Sequence, residues 1–348
     1  MSSFHPQVIH ALLAAALFGA STPLAKLLVG AVPPLLLGGL LYLSSGLGLS
    51  IARVIRDRGW SASGLRPGEW RWLLFAIVFG GILGPVLLMT GLQTTAASTA
   101  SLLLNLEAVL TAVLAWVVFH EHTHRRVVMG MLVIVAGGVL LSLPDPSSID
   151  QGWQGSLAIA GACLCWAIDN NLTRKVSSSD AMFIASSKGL VAGVVNCGLA
   201  ATLGMHWPST ATLLATMSIG MLGYGASLVL FVLALRGLGT ARTGAYFSTA
   251  PFIGAALALL MGEPAGAHFW WAGALMALGV WLHLTETHEH EHTHEPLEHQ
   301  HSHSHDEHHQ HAHDFEWDGS EPHVHVHRHE AITHKHPHYP DIHHRHSH

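Results

Sequence analysis

Long apolar runs recur through the first 284 residues, and short polar segments separate them. Each run has about 20 residues, the length of a helix that crosses the hydrocarbon core of a bilayer. The recurrence predicts an all-α polytopic membrane protein with the lipid bilayer as a partner. We assign ten transmembrane helices, numbered as spans in chain order: Val8–Val29, Pro33–Ile55, Trp70–Leu92, Ser98–Phe119, Val127–Leu143, Gln154–Arg174, Ala181–Leu203, Thr212–Leu235, Thr243–Met261 and Ala267–Leu284.

The composition changes abruptly after residue 284. Residues 285–348 contain 23 His and 13 acidic residues but three Lys or Arg, which gives a net charge of −10 with His neutral. Residues 1–284 carry +4, so the whole-chain value of −6 describes neither part. A segment this polar cannot bury enough apolar surface to fold alone. We therefore expect residues 285–348 to form a disordered His-rich tail.

The positive charges between the spans lie on one side of the membrane. The loops after spans 2, 4, 6 and 8, with the adjoining helix ends, hold eleven Lys and Arg residues, whereas the opposite loops hold none. Positively charged loops mark the cytoplasmic side. This asymmetry predicts a cytoplasmic N-terminus, and the even number of spans then places the C-terminal tail in the cytoplasm as well.

The spans repeat at a spacing of about 145 residues, so that 1–150 and 151–284 form two halves. Phe18–Lys26 aligns with Trp166–Arg174, and 98–121 aligns with 240–263 without a gap. Each half holds five spans. Because five is odd, the halves enter the membrane from opposite sides, and this inverted repeat is typical of secondary transporters.

Four motifs carry a resemblance to a known family: ALLAAALFGASTPLAKLLV and ASTASLLLNLEAVLTAVLAWVVFHE in the first half, and WAIDNNLTRK and TARTGAYFSTAPFIGAALALLMGEP in the second. Through them, residues 8–284 resemble the drug/metabolite transporter (DMT) superfamily, specifically its two-domain EamA type of ten-helix exporter. The resemblance implies gradient-coupled movement of small solutes, usually outward, across a bacterial inner membrane. It implies no enzyme activity, and no sequence motif indicates a required cofactor or nucleic-acid contact.

One departure from that family pattern concerns span 4. Such proteins typically have a Pro after the Glu of this span, whereas Ala108 follows Glu107 here. The sequence therefore gives no reason to expect a Pro-induced kink at Glu107.

Glu107 lies near the middle of span 4, two residues after Asn105. A charge at this depth costs about 2.5–3.5 kcal/mol on insertion scales, so a partner or a water-filled path must compensate it. Lys188 in span 7 reaches a similar depth from the opposite side. We predict that Glu107 and Lys188 face one cavity, as an ion pair or as alternating hosts for a proton and the substrate. The alternative for Glu107 is a hydrogen-bonded or protonated group inside the bundle.

Span 6 carries three consecutive polar side chains, Asp169, Asn170 and Asn171. Because consecutive residues spread over about 200° of a helix, they cannot all face one neighbour, and at least one should face a cavity. The alternative for Asp169 is an ion pair with Arg174 or Lys175. The candidate transport-pathway residues are Glu107, Lys188, Asp169, Asn170, Asn171, Asn105 and Tyr224, and none is predicted to be catalytic.

Several other polar residues have structural interpretations that we keep beside the functional ones. Tyr224 could offer a hydroxyl to a substrate or simply pack, and Lys26 could extend to the headgroups. Asn196 is expected to donate a hydrogen bond between helices. Glu121 and Glu263, which close the two repeat motifs, are expected to act as caps or loop partners. Packing is the expected role of the cysteines, Cys163, Cys165 and Cys197.

Alternating His-x-His patterns run through the tail, interspersed with carboxylates. His-rich tracts are typical of metal binding, and imidazole suits Zn, Ni, Co and Cu(II). The alternative is a solvated low-complexity segment. The predicted ligands are His288, His290, His292, His294, His299, His301, His303, His305, His308, His309, His311, His313, His323, His325, His327 and His329, with a second candidate group at His120, His122 and His124.

Three functions fit these observations. The favoured one is an exporter of a transition-metal cation or a small metal chelate, with the tail raising the metal concentration at the cytoplasmic opening. The second is an exporter of amino acids or other small metabolites whose tail buffers metal or regulates transport. The spans favour this second function slightly, because they have no cluster of His or Cys at mid-membrane depth, where Glu107, Asp169 and Asn side chains are the possible metal ligands. The third is a membrane-anchored metal sensor or storage protein.

Overall fold

A computed structural model of the chain describes the backbone of residues 6–119, 125–143, 153–176, 179–284, 288–294, 297–303, 323–329 and 332–338. It divides the chain into two compact units, residues 1–286 and residues 287–348. The described elements of the first unit are helices, as predicted.

In the first half, spans 1 and 2 are single helices, whereas spans 3 and 4 are each built from shorter pieces. Span 3 contains a π-helix between two α-helices, and span 4 is broken near its middle. The elements are α1 (Pro6–Leu28), α2 (Pro34–Asp57), α3 (Trp70–Ala76), the first π-helix (Ile77–Leu83), α4 (Gly84–Thr94), α5 (Ala97–Leu103), α6 (Leu106–Phe119) and α7 (Arg125–Ser142).

The second half has the corresponding irregularities. Span 8 contains a second π-helix, and span 9 is broken before its last α-helix. The elements are α8 (Gln154–Thr173) with a 3-10 turn (Arg174–Val176), α9 (Ala181–Thr202), α10 (Thr210–Gly220), the second π-helix (Met221–Ala226), α11 (Ser227–Phe247), α12 (Ala250–Leu260) and α13 (Ala267–Leu284).

The ten predicted spans all coincide with helical segments, and the predicted connection between spans 8 and 9 is itself helical, since residues 236–242 belong to α11. The chain nevertheless reverses direction within α11, because the ring centroids of Phe231 and Phe247 lie 4.8 Å apart, whereas a straight helix would separate these residues by about 24 Å.

Among the described residues, eight helical stretches are long and apolar enough to cross a membrane, and α13 contains a shorter apolar stretch, Ala267–Leu282. Large apolar side chains cover much of the outer surface, for example Leu27, Leu260 and Trp271 at 65%, 84% and 70% exposure. Apolar surface on this scale is expected where lipid, and not water, surrounds the protein. The helix α8 has 20 residues but includes the polar triplet at 169–171.

The helices α2 and α9 join the two halves through glycines. A Cβ atom added at Gly46 would overlap the backbone at Gly189, and one added at Gly193 would overlap Leu43. Small residues let membrane helices approach closely enough for direct backbone contact. Asn196 donates its amide to the carbonyl of Ile82 at 3.3 Å, the interhelical bond expected from the sequence.

In the second unit, the structure describes four strands where the sequence predicted disorder: β1 (His288–His294), β2 (Leu297–His303), β3 (His323–His329) and β4 (Ile332–His338). β1 pairs with β4 and β2 with β3, both antiparallel. The His-x-His alternation has the two-residue period of a strand, which explains why these segments can extend and pair. The register sets His opposite His at three positions in each pair, for example His290 with His336.

Candidate functional site

The break in span 4 positions Glu107. α5 ends at Leu103, α6 begins at Leu106, and Glu107 lies in the first turn of α6. In the break, the buried amide of Asn105 donates to the carbonyl of Leu102 at 2.9 Å. A carboxylate near a helix N-terminus is stabilised by the backbone dipoles there. The helix is thus broken without a proline, and the break places Glu107, the one acidic residue of α6, in the first turn of that helix.

Glu107 is half-buried and is held by the other half of the chain. The side-chain amide of Asn170, on α8, donates to Glu107 Oε1 at 2.9 Å and lies 3.4 Å from the hydroxyl oxygen of Thr111. Asn170 itself is exposed. The carboxylate is therefore anchored at one oxygen beside an accessible side chain, which is a suitable arrangement for exchanging a ligand or a proton.

One form of the sequence prediction required an ion pair between Lys188 and Glu107. The structure pairs Lys188 with a different carboxylate. Its ammonium nitrogen lies 2.6 Å from both carboxylate oxygens of Asp169 and 3.3 Å from the Thr173 hydroxyl. Thr173 donates to Asp169 at 2.8 Å. The side chains of Lys188 and Asp169 are 17% and 8% exposed. Lys188 is thus a partner of Asp169, a pairing that the sequence analysis had not proposed.

The Glu107–Asn170 pair and the Asp169–Lys188 pair nevertheless form one electrostatic cluster, because Asp169 and Asn170 are adjacent in the chain. These four residues are called the central cluster below. The charges of Asp169 and Lys188 both act on Glu107 through space. Asn171 is buried and donates to the carbonyls of Thr111 at 3.2 Å and Ala167 at 2.9 Å, so it also reaches α6. The three side chains therefore do not share one neighbour, as helix geometry predicts: Asp169 faces α9, whereas Asn170 and Asn171 both contact α6.

The first π-helix supplies a carbonyl at the edge of this cluster. The carbonyl of Gly80 accepts hydrogen bonds of 3.0 Å from the Tyr42 hydroxyl and from the Trp166 indole. A Cβ atom at position 80 would overlap the Asp169 carboxylate. π-Helical segments frequently occur at functional sites, because they free backbone groups from the helical pattern. Sequence reasoning did not single out Tyr42 and Trp166; the adjacent glycines Gly80 and Gly81 are the sequence signal that points to a close contact here.

Aromatic rings connect this region to the second π-helix. The ring centroid of Tyr224 lies 5.5 Å from that of Tyr42 and 5.9 Å from that of Phe18. Phe18 lies 5.4 Å from Phe247, whose ring is 4.8 Å from that of Phe231. Tyr224 thus packs among rings, which was the structural alternative, and its neighbour Tyr42 lies close to the charged cluster.

The remaining candidates divide into two groups. The three free cysteines are buried, as the packing interpretation predicted. Glu121 and the candidate ligands His120, His122, His124, His305, His308, His309, His311 and His313 lie outside the described residues. The other tail histidines are described as backbone positions within the four strands.

Comparison with known proteins places this geometry in a family. The sequence profile of the EamA-like transporter family matches residues 5–143 and 153–285. The chain belongs to the EamA-like transporter family. An EamA-like chain is a polytopic membrane protein that transports small solutes, and the two matched segments correspond to the two five-span halves.

Two relatives and one solved structure agree with this assignment. An uncharacterized transporter of Methanothermobacter thermautotrophicus (strain Delta H) is 27% identical over 281 residues, covering 76% of this chain and 82% of the relative. The uncharacterized transporter YyaM of Bacillus subtilis (strain 168) is 24% identical over 241 residues, covering 65% and 77%. A crystal structure with 22% identity and a TM-score of 0.59 covers 80% of this chain and 98% of its own, and it shows the same fold.

Proposed function

We propose that the chain is a secondary-active exporter that binds its substrate at Glu107, Asn170 and the Asp169–Lys188 pair. The membrane is the inner membrane of a bacterium, with both termini in the cytoplasm, as the loop charges favour. The observation that carries the proposal is the half-buried Glu107 carboxylate, which is anchored through one oxygen across the two halves. Inverted-repeat transporters bind substrates where their halves meet near the midplane.

The chemistry of this site supports a small organic solute that carries an ammonium group. The cluster holds two carboxylates and one ammonium, and Asp169 is already bound by Lys188. Glu107 is then the carboxylate available to a positively charged group of the solute. The faces of aromatic rings also attract organic cations, and the rings of Tyr42 and Tyr224 supply such faces. This is the metabolite-exporter function, with amino acids as the first class to test.

The test measures efflux of labelled amino acids and amines from cells that contain the wild-type chain or Glu107→Gln. The amide keeps the size of the side chain but loses the charge, so we expect efflux to fall at least tenfold. Glu69→Gln is the matched control, because Glu69 precedes α3 and accepts from the backbone N–H of Arg66, away from the cluster. Equal efflux by wild type and Glu107→Gln would contradict the proposal.

The tail supports a second function, the export of a transition-metal cation such as Zn, Ni or Co, or of its small chelate. Between residues 288 and 348, 23 of 61 residues are His, and the register of both strand pairs sets His opposite His. Cross-strand neighbours lie about 4.5–5.5 Å apart at their Cβ atoms, a separation that two ligands of one metal ion can use. In this function the tail collects metal and the central carboxylates pass it through the membrane.

One comparison separates the two functions. Total cell Zn, Ni and Co is measured by elemental mass spectrometry for the wild type, Glu107→Gln and a chain that ends at Thr287. Metal export predicts that wild type lowers one metal and that Glu107→Gln abolishes the change. If metal content follows the tail regardless of Glu107, the tail is a buffer or storage segment and the metal-export function fails.

A further inference from the structure

A helix C-terminal motif fixes Glu263 at one end of the bundle. After α12, Gly262 adopts a left-handed conformation with φ +97°. Its N–H donates to the carbonyl of Leu259 at 3.0 Å, and the N–H of Glu263 donates to that of Ala258 at 3.2 Å. This pair of bonds is the Schellman motif, in which glycine avoids the steric cost of a positive φ. The backbone at Glu263 is therefore held in one direction, and Pro264 follows it.

The Glu263 side chain caps a helix of the other half. Its two carboxylate oxygens accept the backbone N–H groups of Ala97 and Ser98, both at 2.8 Å. These residues begin α5, and the preceding Ala96 has no side-chain acceptor of its own. The first N–H groups of a helix need external acceptors, and a carboxylate satisfies them with strong, charge-assisted bonds. The sequence prediction that Glu263 acts as a cap is confirmed, and the helix it caps lies in the first half.

Lys26 binds the other side of the same turn. Its ammonium nitrogen donates to the carbonyl of Thr95 at 3.0 Å and to the carbonyl of Leu92, at the C-terminal end of α4. A cation is favourable at a helix C-terminus, as an anion is at an N-terminus. The α4–α5 turn, which joins spans 3 and 4, is thus bound at both helix ends by opposite charges. One charge comes from its own half and the other from the second half.

A second set of contacts joins the halves at the opposite end of the bundle. Asp180 caps α9 by accepting from the N–H of Met182 at 3.0 Å. The same carboxylate accepts from Arg53 Nε at 2.8 Å and from Arg56 Nη2 at 2.7 Å, both on α2. α1 and α2 run in opposite directions, so Lys26, in the last turn of α1, and Arg53, near the end of α2, lie at opposite ends of the bundle. The central cluster therefore lies between two polar contacts that both cross the halves.

We propose that the Glu263 cap on α5, together with Lys26, is the latch that closes the bundle at the α4–α5 turn, and that it opens once in every transport cycle. The proposal rests on transport through the central cluster, as proposed above. A carboxylate bound to two backbone N–H groups can exchange them for water without breaking any backbone bond within a helix. The Arg53–Arg56–Asp180 contact closes the opposite end, so that release of one contact at a time gives access from one side.

The test measures access to the central site without requiring a substrate. The full-length chain carries Asn170→Cys as its sole thiol, with alanine at the three native cysteine positions, and a membrane-impermeant cationic thiosulfonate is added from either side of the membrane. Right-side-out cells and inside-out vesicles supply the two sides. We expect Glu263→Gln to accelerate modification about tenfold from the Glu263 side, which corresponds to about 1.4 kcal/mol in the closing equilibrium.

Two variants serve as controls for the direction of the effect. Asp180→Asn should accelerate modification from the opposite side, and Glu263→Asp, which keeps the charge, should restore most of the wild-type behaviour. Lys26→Met should change access in the same direction as Glu263→Gln and provides the measurement if that variant does not reach the membrane. An unchanged rate, or equal acceleration from both sides, would overturn the latch. Because no transport is measured, a normal efflux rate in Glu107→Gln would refute the proposed function and leave this result standing.

Discussion

The Asp169–Lys188 pair permits a quantitative test of how the centre of the bundle is held together. Both side chains are largely buried, and the ammonium contacts both carboxylate oxygens at 2.6 Å. Removing one member of a buried pair leaves an uncompensated charge, which costs about 3–5 kcal/mol. Lys188 keeps 17% exposure, so water can reach it in part. We therefore expect Asp169→Asn and Lys188→Met each to lose about 3 kcal/mol, the lower end of that range.

Removing both members should cost less than the sum of the two single variants. The double variant leaves no buried charge in the pair, and Thr173 can still hydrogen-bond to the asparagine amide. We expect a coupling free energy of about 2 kcal/mol between the two substitutions, within the range measured for residues in direct contact. The assay is reversible unfolding of the purified chain in mixed micelles, followed by helical circular dichroism as denaturing detergent is added.

The control cycle combines Lys188→Met with Glu69→Gln, because Glu69 contacts the backbone of its own loop. These two changes should add within about 0.5 kcal/mol. Additivity of the same quality between Asp169→Asn and Lys188→Met would refute the reasoning. It would mean that water, and not the ion pair, compensates the two charges.

Two further predictions concern other contacts of the described residues. Gly80→Ala should destabilise the chain by about 1–3 kcal/mol and lower transport, because its methyl group would displace a carboxylate of the central cluster, whereas Gly198→Ala, with open space around it, should be neutral or stabilising by under about 1 kcal/mol. The second prediction concerns pH. Burial raises the pKa of Asp180, but hydrogen bonds from Arg56 and Arg53 outweigh it and hold the pKa below its ordinary value. The stability that Asp180 contributes is therefore complete above about pH 4 and is lost as the pH falls through the lower folded-state pKa. Unfolding of the wild type and Asp180→Asn at pH 3 to 6 should show the difference between them shrinking below about pH 4.

The spans could be predicted from the sequence because hydropathy and helix length are properties of single segments. The interruptions inside them were harder to predict. Gly80 and Gly81 are a sequence signal for close packing in span 3, but they do not show that the hydroxyl of Tyr42 and the indole of Trp166 donate to the Gly80 carbonyl of the π-helix. In span 4, the break forms at Asn105 without the family's proline, because the amide side chain bonds to the backbone carbonyl of Leu102. These are tertiary effects, which no local pattern records.

The sequence predicted how deep in the membrane the site residues lie, but it did not predict which of them form the ion pair. A rise of about 1.5 Å per residue places Glu107 and Lys188 at similar heights, and both do belong to one cluster. The rotation of each helix about its own axis depends on packing, so the sequence could not show which carboxylate Lys188 would face. Asp169 lies 19 residues before Lys188, on the preceding helix α8, and it takes the partner that the sequence had offered to Glu107.

The weak hydropathy of α8 follows from the same residues that build the site. α8 is long enough to span a bilayer, yet Asp169, Asn170 and Asn171 give it three polar side chains near one end. Each is compensated from a neighbouring helix: α9 provides Lys188, and α6 provides Glu107 and the carbonyl of Thr111. In isolation these groups would be costly in lipid, so α8 gains its stability in the membrane from the helices that it joins. The stability of α8 therefore depends on contacts from both halves of the bundle, because Glu107 and Thr111 belong to the first half and Lys188 belongs to the second.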